Sequence, residues 1–328
     1  MNYKLNRKLH TVLSVEAKIG YVSYVQEGFL HFNKYKFNIR PLLYIIDLNN
    51  NKIWIKNEEW DNFSIDIKKR EITKLPFSLM LNGHFDDFFL INKNNNIYLY
   101  SIVERIEKFN LKNNNILFYY CSKRHIYLQQ DLKLASFCLE TEEMLWELNL
   151  FATDQIRTLI GAHQNQLIIF LNERGLMSIN TDNGEILWQL PDFLLQFPKG
   201  EFAGLHWYWH LEDGYLYILK HRHYFRVNLS SQAVELLWEN MDKTYSITHC
   251  TYTADTIFFT ACLEPQIQPS ILGVFNRKTL VIDWLYESDI FERDRFGSFN
   301  QAPQTDGEKL YFLDTTGTLH IFEKEKEA

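Results

Sequence analysis

One element recurs along this chain: an alternating apolar run, a short polar turn, then a strand that carries tryptophan. It is written LLYIIDL-NNN-KIWIK (Leu42 to Lys56), KLASFCL-ETEE-MLWEL (Lys133 to Leu148), LMSINT-DNG-EILWQL (Leu176 to Leu190), YFRVNL-SSQA-VELLWEN (Tyr224 to Asn240) and ILGVFN-RKT-LVIDWLY (Ile271 to Tyr286). The marker residues are Trp54, Trp146, Trp188, Trp238 and Trp284, and the last four stand 42, 50 and 46 residues apart. The first interval, 92 residues, is twice 46, and IYLYSIVERIEKFNL (Ile97 to Leu111) fills its middle with Phe109 in the tryptophan place. Such strands are apolar on alternate residues. A unit of this size buries its faces only against its neighbours. A period in the mid-forties, made of strands and tight turns, is the mark of a propeller blade.

The reading is therefore all-β, a single β-propeller domain over residues 1–328. Inner strands precede the marked units at Gln166 to Asn172, Tyr215 to His221, Thr256 to Leu263 and Lys309 to Thr315. The final unit ends at TLHIFEKE without an outer tryptophan strand. An N-terminal strand, expected within Thr11 to Tyr24, would complete that blade and close the ring. Seven blades are counted. Six and eight stay open, because Asn62 to Leu75 reads either as an inserted hairpin or as part of a blade. Paired β-sandwiches also show short strands with frequent turns, but they do not demand a turn-then-tryptophan element at constant period.

Composition narrows the function classes. The chain of 328 residues is long enough for a large core, and its aromatic content of 16% suits β-structure. Apolar runs such as Leu42 to Ile46 and Leu167 to Leu171 are strand-sized, far below the roughly 18 residues of a membrane helix. A formal charge of −7 argues against a phosphate-backbone binder, so neither nucleic acid nor membrane is expected as a partner. The N-terminal MNYKLNRKLHTVLSVEAKIG has no apolar core of a secretory signal. Cys121, Cys138, Cys250 and Cys262 are scattered without a C-x-x-C pair and read as reduced, packed thiols. The expected compartment is the cytoplasm.

The element of apolar strand, D/N-x-x-G-like turn and tryptophan resembles the PQQ-like (quinoprotein dehydrogenase-like) propeller repeat. INTDNGEILWQL (Ile179 to Leu190) is the best copy, with Asp182, Gly184 and Trp188 in the family's places. The resemblance covers Leu42 to Glu325. Asp-Gly gives way to Glu-Glu at 142–143, Ser-Gln-Ala at 231–233 and Arg-Lys-Thr at 277–279. The motif is structural and brings no catalytic residue with it. The family includes exported quinone-dependent dehydrogenases, which hold their quinone beside adjacent cysteines and a calcium site, and non-catalytic scaffolds of the outer-membrane assembly type. The Cys-Cys pair is missing from this sequence, so the resemblance implies the non-catalytic branch and no cofactor.

The sequence has no GxSxG, GxxxxGK[ST], GxGxxG or HExxH motif and no EF-hand loop. Its unusual constellation is GLHWYWHLEDGYLYILKHRHYF (Gly204 to Phe225). Asp213-Gly214 is a strong two-residue hairpin signal. That turn sets Trp209 opposite Ile218, Leu211 opposite Leu216 and His206 opposite His221. Leu205, Trp207, Trp209, Leu211, Leu216 and Ile218 form a packing face, while His206, Tyr208, His210, Tyr217, Leu219 and His221 form the other. His206 and His221, with His223 and Tyr208 nearby, are expected at the rim of the propeller channel as ligand-binding residues. Whether they take a metal is left open, since neutral imidazole is a common ligand. As packing residues they would simply hydrogen-bond to backbone. In FERDRFGSF (Phe291 to Phe299), Arg293, Arg295 and Phe296 are candidate anchors for a protein partner. Arg222 joins them, against the plain reading of a solvated loop.

These features give two expectations. The first is a non-enzymatic propeller that binds a protein through its loop-bearing rim, concretely an inhibitor or toxin-neutralising immunity protein whose acidic surface meets a basic toxin or enzyme. The second is an enzyme or small-ligand sensor that uses the histidine rim.

Overall fold

A computed structural model describes the chain within residues 3–325. Connections at 102–105, 111–115, 151–155, 194–208, 241–244, 264–268 and 289–297, with shorter stretches, lie outside the description, as do most side chains in 10–52 and 78–89. The described residues form thirty-two strands. The first is β1 (Tyr3–Leu9). It is followed by β2 to β5 (Val12–Lys18, Tyr21–Gln26, Phe29–Phe32, Tyr35–Asn38) and β6 to β9 (Tyr44–Leu48, Lys52–Lys56, Asn62–Asp66, Glu71–Lys74). Next come β10 to β13 (Ser78–Phe85, Phe88–Lys93, Asn96–Ser101, Ile106–Asn110) and β14 to β17 (Ile116–Cys121, His125–Gln130, Lys133–Cys138, Met144–Asn149). They continue as β18 to β21 (Ile156–His163, Gln166–Leu171, Gly175–Asn180, Ile186–Leu190) and β22 to β25 (Trp209–Glu212, Tyr215–Lys220, His223–Asn228, Val234–Glu239). The last are β26 to β29 (Tyr245–Tyr252, Thr256–Leu263, Pro269–Asn276, Val281–Glu287) and β30 to β32 (Gln304–Thr305, Lys309–Leu313, Leu319–Lys324).

Each group of four pairs in chain order as one antiparallel sheet, and β30 to β32 complete theirs with β1, in the order β1-β32-β31-β30. These sheets are the blades of a β-propeller. They number eight, one more than the sequence count of seven and inside the range it left open. The closing strand is Tyr3–Leu9, not Thr11 to Tyr24: β2 and β3, which occupy that range, belong to a separate blade. Asn62 to Leu75 is the second hairpin of its blade and not an insertion. Trp54 is also placed differently from the other markers. It sits on β7, a second strand, between Asp47 and Ser64, whereas Trp146, Trp188, Trp238 and Trp284 are on last strands.

The chain divides into two compact units. One comprises Met1–Pro76, Ile218–Phe225 and Leu236–Ala328, the other Phe77–Tyr217 and Arg226–Glu235. In the first unit β2 touches β6, β30 and β31, and in the second β14 touches β18 and β18 touches β22. First strands therefore neighbour first strands, and last strands face outward. The middle strands read as apolar runs because they are covered on both faces: in β27 and β28 every residue but the last is buried.

The repeated tryptophans have a common local cause. Between third and last strands the register slips by one residue just before the marker: Ser136 faces Trp146 but Phe137 faces Met144, so Leu145 is extra. Leu187 and Asp283 are extra in the same way before Trp188 and Trp284, and Lys108 before Phe109. Such a bulge bends the strand and re-aims its side chains. Here the indole comes against the following blade. Trp238 lies 4.9 Å from Phe275, Trp284 lies 5.3 Å from Phe322 and 5.6 Å from Tyr3, and Trp146 donates Nε1–H to the Thr181 carbonyl at 2.8 Å.

The turns before these strands also share a design. Asn180, Asn228 and Asn276, each 48 residues apart, accept turn N–H groups on their side-chain oxygens at 2.8 to 3.1 Å. Four residues on, Gly184, Gln232 and Leu280 stand at positive φ of 77, 63 and 57°, and Glu142 does so at 60° four residues after Cys138. The sequence reading followed the Asp-Gly pair. The steadier signal was the asparagine.

Candidate functional site

The histidine-bearing hairpin folds as its sequence implies. Asp213 (φ 49°) and Gly214 (φ 77°) make the two-residue turn between β22 and β23, with both central residues left-handed as a type I′ turn requires. His210 and Tyr217, opposite each other in that register, have ring centroids 6.4 Å apart. Trp209 packs 5.2 Å from Phe170 and 5.9 Å from Phe193, while Leu216 and Ile218 are buried. His206 and Tyr208 lie outside the described residues, as do Arg293, Arg295 and Phe296.

The remaining candidates, His221, Arg222 and His223, come together at the turn between β23 and β24. His221 has φ 53°, exchanges both backbone hydrogen bonds with Ile247 of β26 at 2.9 Å, and places Nδ1 2.6 Å from Ser246 Oγ. Burial, followed by the nearby Lys220, His223 and Arg222, lowers its pKa to about 4, so the ring is neutral at pH 7. His223 is buried against Phe225 at 5.7 Å, with Nε2 3.7 Å from Glu239 Oε1. Arg222 is half-exposed at the tip, and its carbonyl accepts the Asn240 N–H at 2.7 Å. Among the described residues no three or more His, Cys, Asp or Glu side chains are grouped to hold a metal ion. This corner anchors one blade to the next.

A second site was not anticipated. A cavity of about 480 Å³ opens where blades β14–β17 and β18–β21 meet, lined by Arg124, His125, Tyr127, Gln164, Asn165 and Asp182 among others. These residues come from three hairpins far apart in the chain: the β14–β15 turn, the β18–β19 turn and the β20–β21 turn. His125 Nδ1 lies 3.1 Å from the hydroxyl of the fully buried Tyr127. Burial lowers the His125 pKa, with Arg124 adding to the effect and Asp182 opposing it, and burial pushes the Tyr127 phenol up. Asp182 Oδ1 accepts the Thr181 hydroxyl at 3.3 Å. The cavity therefore presents a cation, a carboxylate and neutral hydrogen-bonding groups, which suits a polar side chain or small polar molecule. The only sequence trace of it was turn chemistry, Asn165 and the Asp-Asn-Gly of 182–184.

No known family's sequence profile matches the chain, and no curated protein matches it in sequence. Solved structures do. The computationally designed Ika8 protein is 8% identical, with 96% of each chain covered and a TM-score of 0.64. BamB from Moraxella catarrhalis is 10% identical over 98% of this chain and 100% of its own, with a TM-score of 0.58. The C-terminal WD40 domain of Sif2 is 9% identical over 99% of both, with a TM-score of 0.65. At such identities the likeness is one of fold. It defines the class: this chain is a β-propeller.

Proposed function

We propose that this protein is a non-catalytic interaction module that binds another protein. One observation carries the reading: of the large apolar side chains left exposed among the described residues, all but Leu132, in the β15–β16 turn, are on last strands. Ile72 is on β9, Met144 and Leu145 on β17, Ile186 and Leu187 on β21, Leu236 on β25, and Val281 and Leu285 on β29. Exposed apolar area collected in this way marks contact surface, whereas single scattered residues need no explanation. The loop side contributes Arg222, Arg293, Arg295 and Phe296 to the same partner. The charge of −7 favours a basic one, and an inhibitor or immunity protein acting on a basic toxin is the concrete form. We further read the chain as one propeller domain over 1–328, of the PQQ-like, non-catalytic kind and cytoplasmic.

Capture of the tagged protein from its host's lysate, with metal analysis of the eluate, tests this reading. The expected result is one near-stoichiometric protein partner that co-elutes in gel filtration. A partnerless eluate carrying about one metal per chain would overturn it and point to His206 and His221, because neutral imidazole is a common metal ligand.

A further inference from the structure

We propose that the outer face of blades β14–β17 and β18–β21, around Leu145 and Leu187, is the docking surface for a cationic amphipathic segment of a partner protein. The inference rests on the interaction-module reading and narrows it to one surface and one chemistry. Leu145 and Leu187 are the extra residues of the two bulges, which hold them outward at 40% and 42% exposure. The bulge position elsewhere is Lys108 or Asp283, so an apolar residue there is not a requirement of the fold. Met144 and Ile186 stand beside them at 55% and 49% exposure. The Trp146 indole, next to Leu145, reaches the turn that leads to Ile186: a Cβ on Gly184 would come within 2.8 Å of its ring, and Trp146 donates to Thr181.

The charge around this apolar face selects the occupant. Glu140, Glu142, Glu143, Asp182 and Glu185 are all exposed on the two turns that lead into it. Glu147 is already paired with Lys133 at 2.7 Å, but among the described residues the carboxylates of Glu140, Glu142, Glu143 and Glu185 have no ion pair. A purely apolar partner would strip water from them without compensation, at a cost in free energy. A partner that sets Lys or Arg around apolar residues satisfies both parts of the surface. The adjoining cavity, with Asp182, Gln164 and Asn165 on its wall beside Arg124, has room for one polar side chain. The same bulges disrupt the outer edges of β17 and β21 as templates for an added strand, so recognition runs through side chains.

The test titrates the full chain with a synthetic amphipathic leucine–lysine peptide and with its leucine–glutamate counterpart. Leu145→Ser/Leu187→Ser and, separately, Glu142→Gln/Glu143→Gln/Glu185→Gln are expected to weaken lysine-peptide binding about ten-fold each, as buried anchors and their complementary charges do. A control set, Glu71→Gln/Glu287→Gln/Glu308→Gln, changes equally exposed residues elsewhere and is expected to change it less than about two-fold. The glutamate peptide is expected not to bind. Equal losses in patch and control variants, or binding of both peptides, would overturn the surface. A natural partner retained in full by both patch variants would overturn it too, while leaving the interaction-module reading intact. Peptide binding that follows the patch, in a protein that captures no partner, would support the surface and defeat that reading.

Discussion

The left-handed position of the third-to-last-strand turns isolates the effect of a single residue, because four different residues, Glu142, Gly184, Gln232 and Leu280, occupy it. Gly184 holds φ 77° without a Cβ, whereas Leu280 holds 57° with one. The left-handed region costs an ordinary L-residue roughly 1–2 kcal/mol, while glycine forfeits about 0.5–1 kcal/mol of chain entropy. Leu280→Gly is therefore expected to stabilise by up to about 1 kcal/mol. Gly184→Ala puts a Cβ at φ 77° and against the Trp146 ring, and is expected to cost about 2–3 kcal/mol. Chemical denaturation of the two variants checks both signs. His221 allows a second test. Its folded pKa of about 4 lies below the ordinary 6.5, so the unfolded chain takes up a proton that the folded chain refuses. Its contribution is whole above pH 6.5 and is lost as pH falls toward 4. His221→Asn, which tolerates the positive φ, is expected to flatten the stability profile in that window by on the order of 2 kcal/mol. Unfolding midpoints at pH 7 and pH 4.5 measure it, and unchanged steepness would show that other groups set the profile.

At the scale of the strand and hairpin, tryptophan recorded its own packing. Trp146, Trp188 and Trp284 were legible because an indole following a bulge fills space between or within blades, and Trp238 packs in the same way against Phe275. Blades β2–β5 and β6–β9 were harder to count for the same reason. Their last strands, Tyr35–Asn38 and Glu71–Lys74, are four residues long and carry no tryptophan. Trp54, on a second strand, showed the same alternation as an outer one. An alternating strand declares which residues share a face and not which place it takes in its sheet. If the indole is the wedge described, Trp146→Phe should lose about 1 kcal/mol with the bond to Thr181. Trp146→Ala should lose about 3–5 kcal/mol, because both Gly184 and Tyr127 would then face a void. Equal costs for the two would mean that the hydrogen bond, and not the volume, holds these blades together.

Across the whole molecule, what could be read depended on how far apart in the chain the cooperating residues lie. The histidine hairpin was readable because Asp213-Gly214 fixes its register locally. The cavity was not, since turns near residues 124, 164 and 182 share nothing in sequence but their turn chemistry. The longest separation of all is the pairing of β1 with β32, from Tyr3 opposite Lys324 to Leu9 opposite Leu319. The sequence demanded this closure through a missing last strand, although it placed the strand some residues too late. Tyr3 packs 6.2 Å from Phe258 and 5.6 Å from Trp284, beside the buried Phe322. Removing residues 1–9 leaves that cluster and one edge of β32 uncovered, whereas loss of an outer strand bearing only surface contacts would change little. The truncated chain is expected to unfold several kcal/mol more easily, and synthetic YKLNRKL added in trans should restore part of the loss as its concentration rises. Thermal unfolding with and without the peptide decides the matter. A truncated chain as stable as the full one would mean that the last blade holds with three strands, and that the joining of the chain ends adds nothing to the stability of the fold.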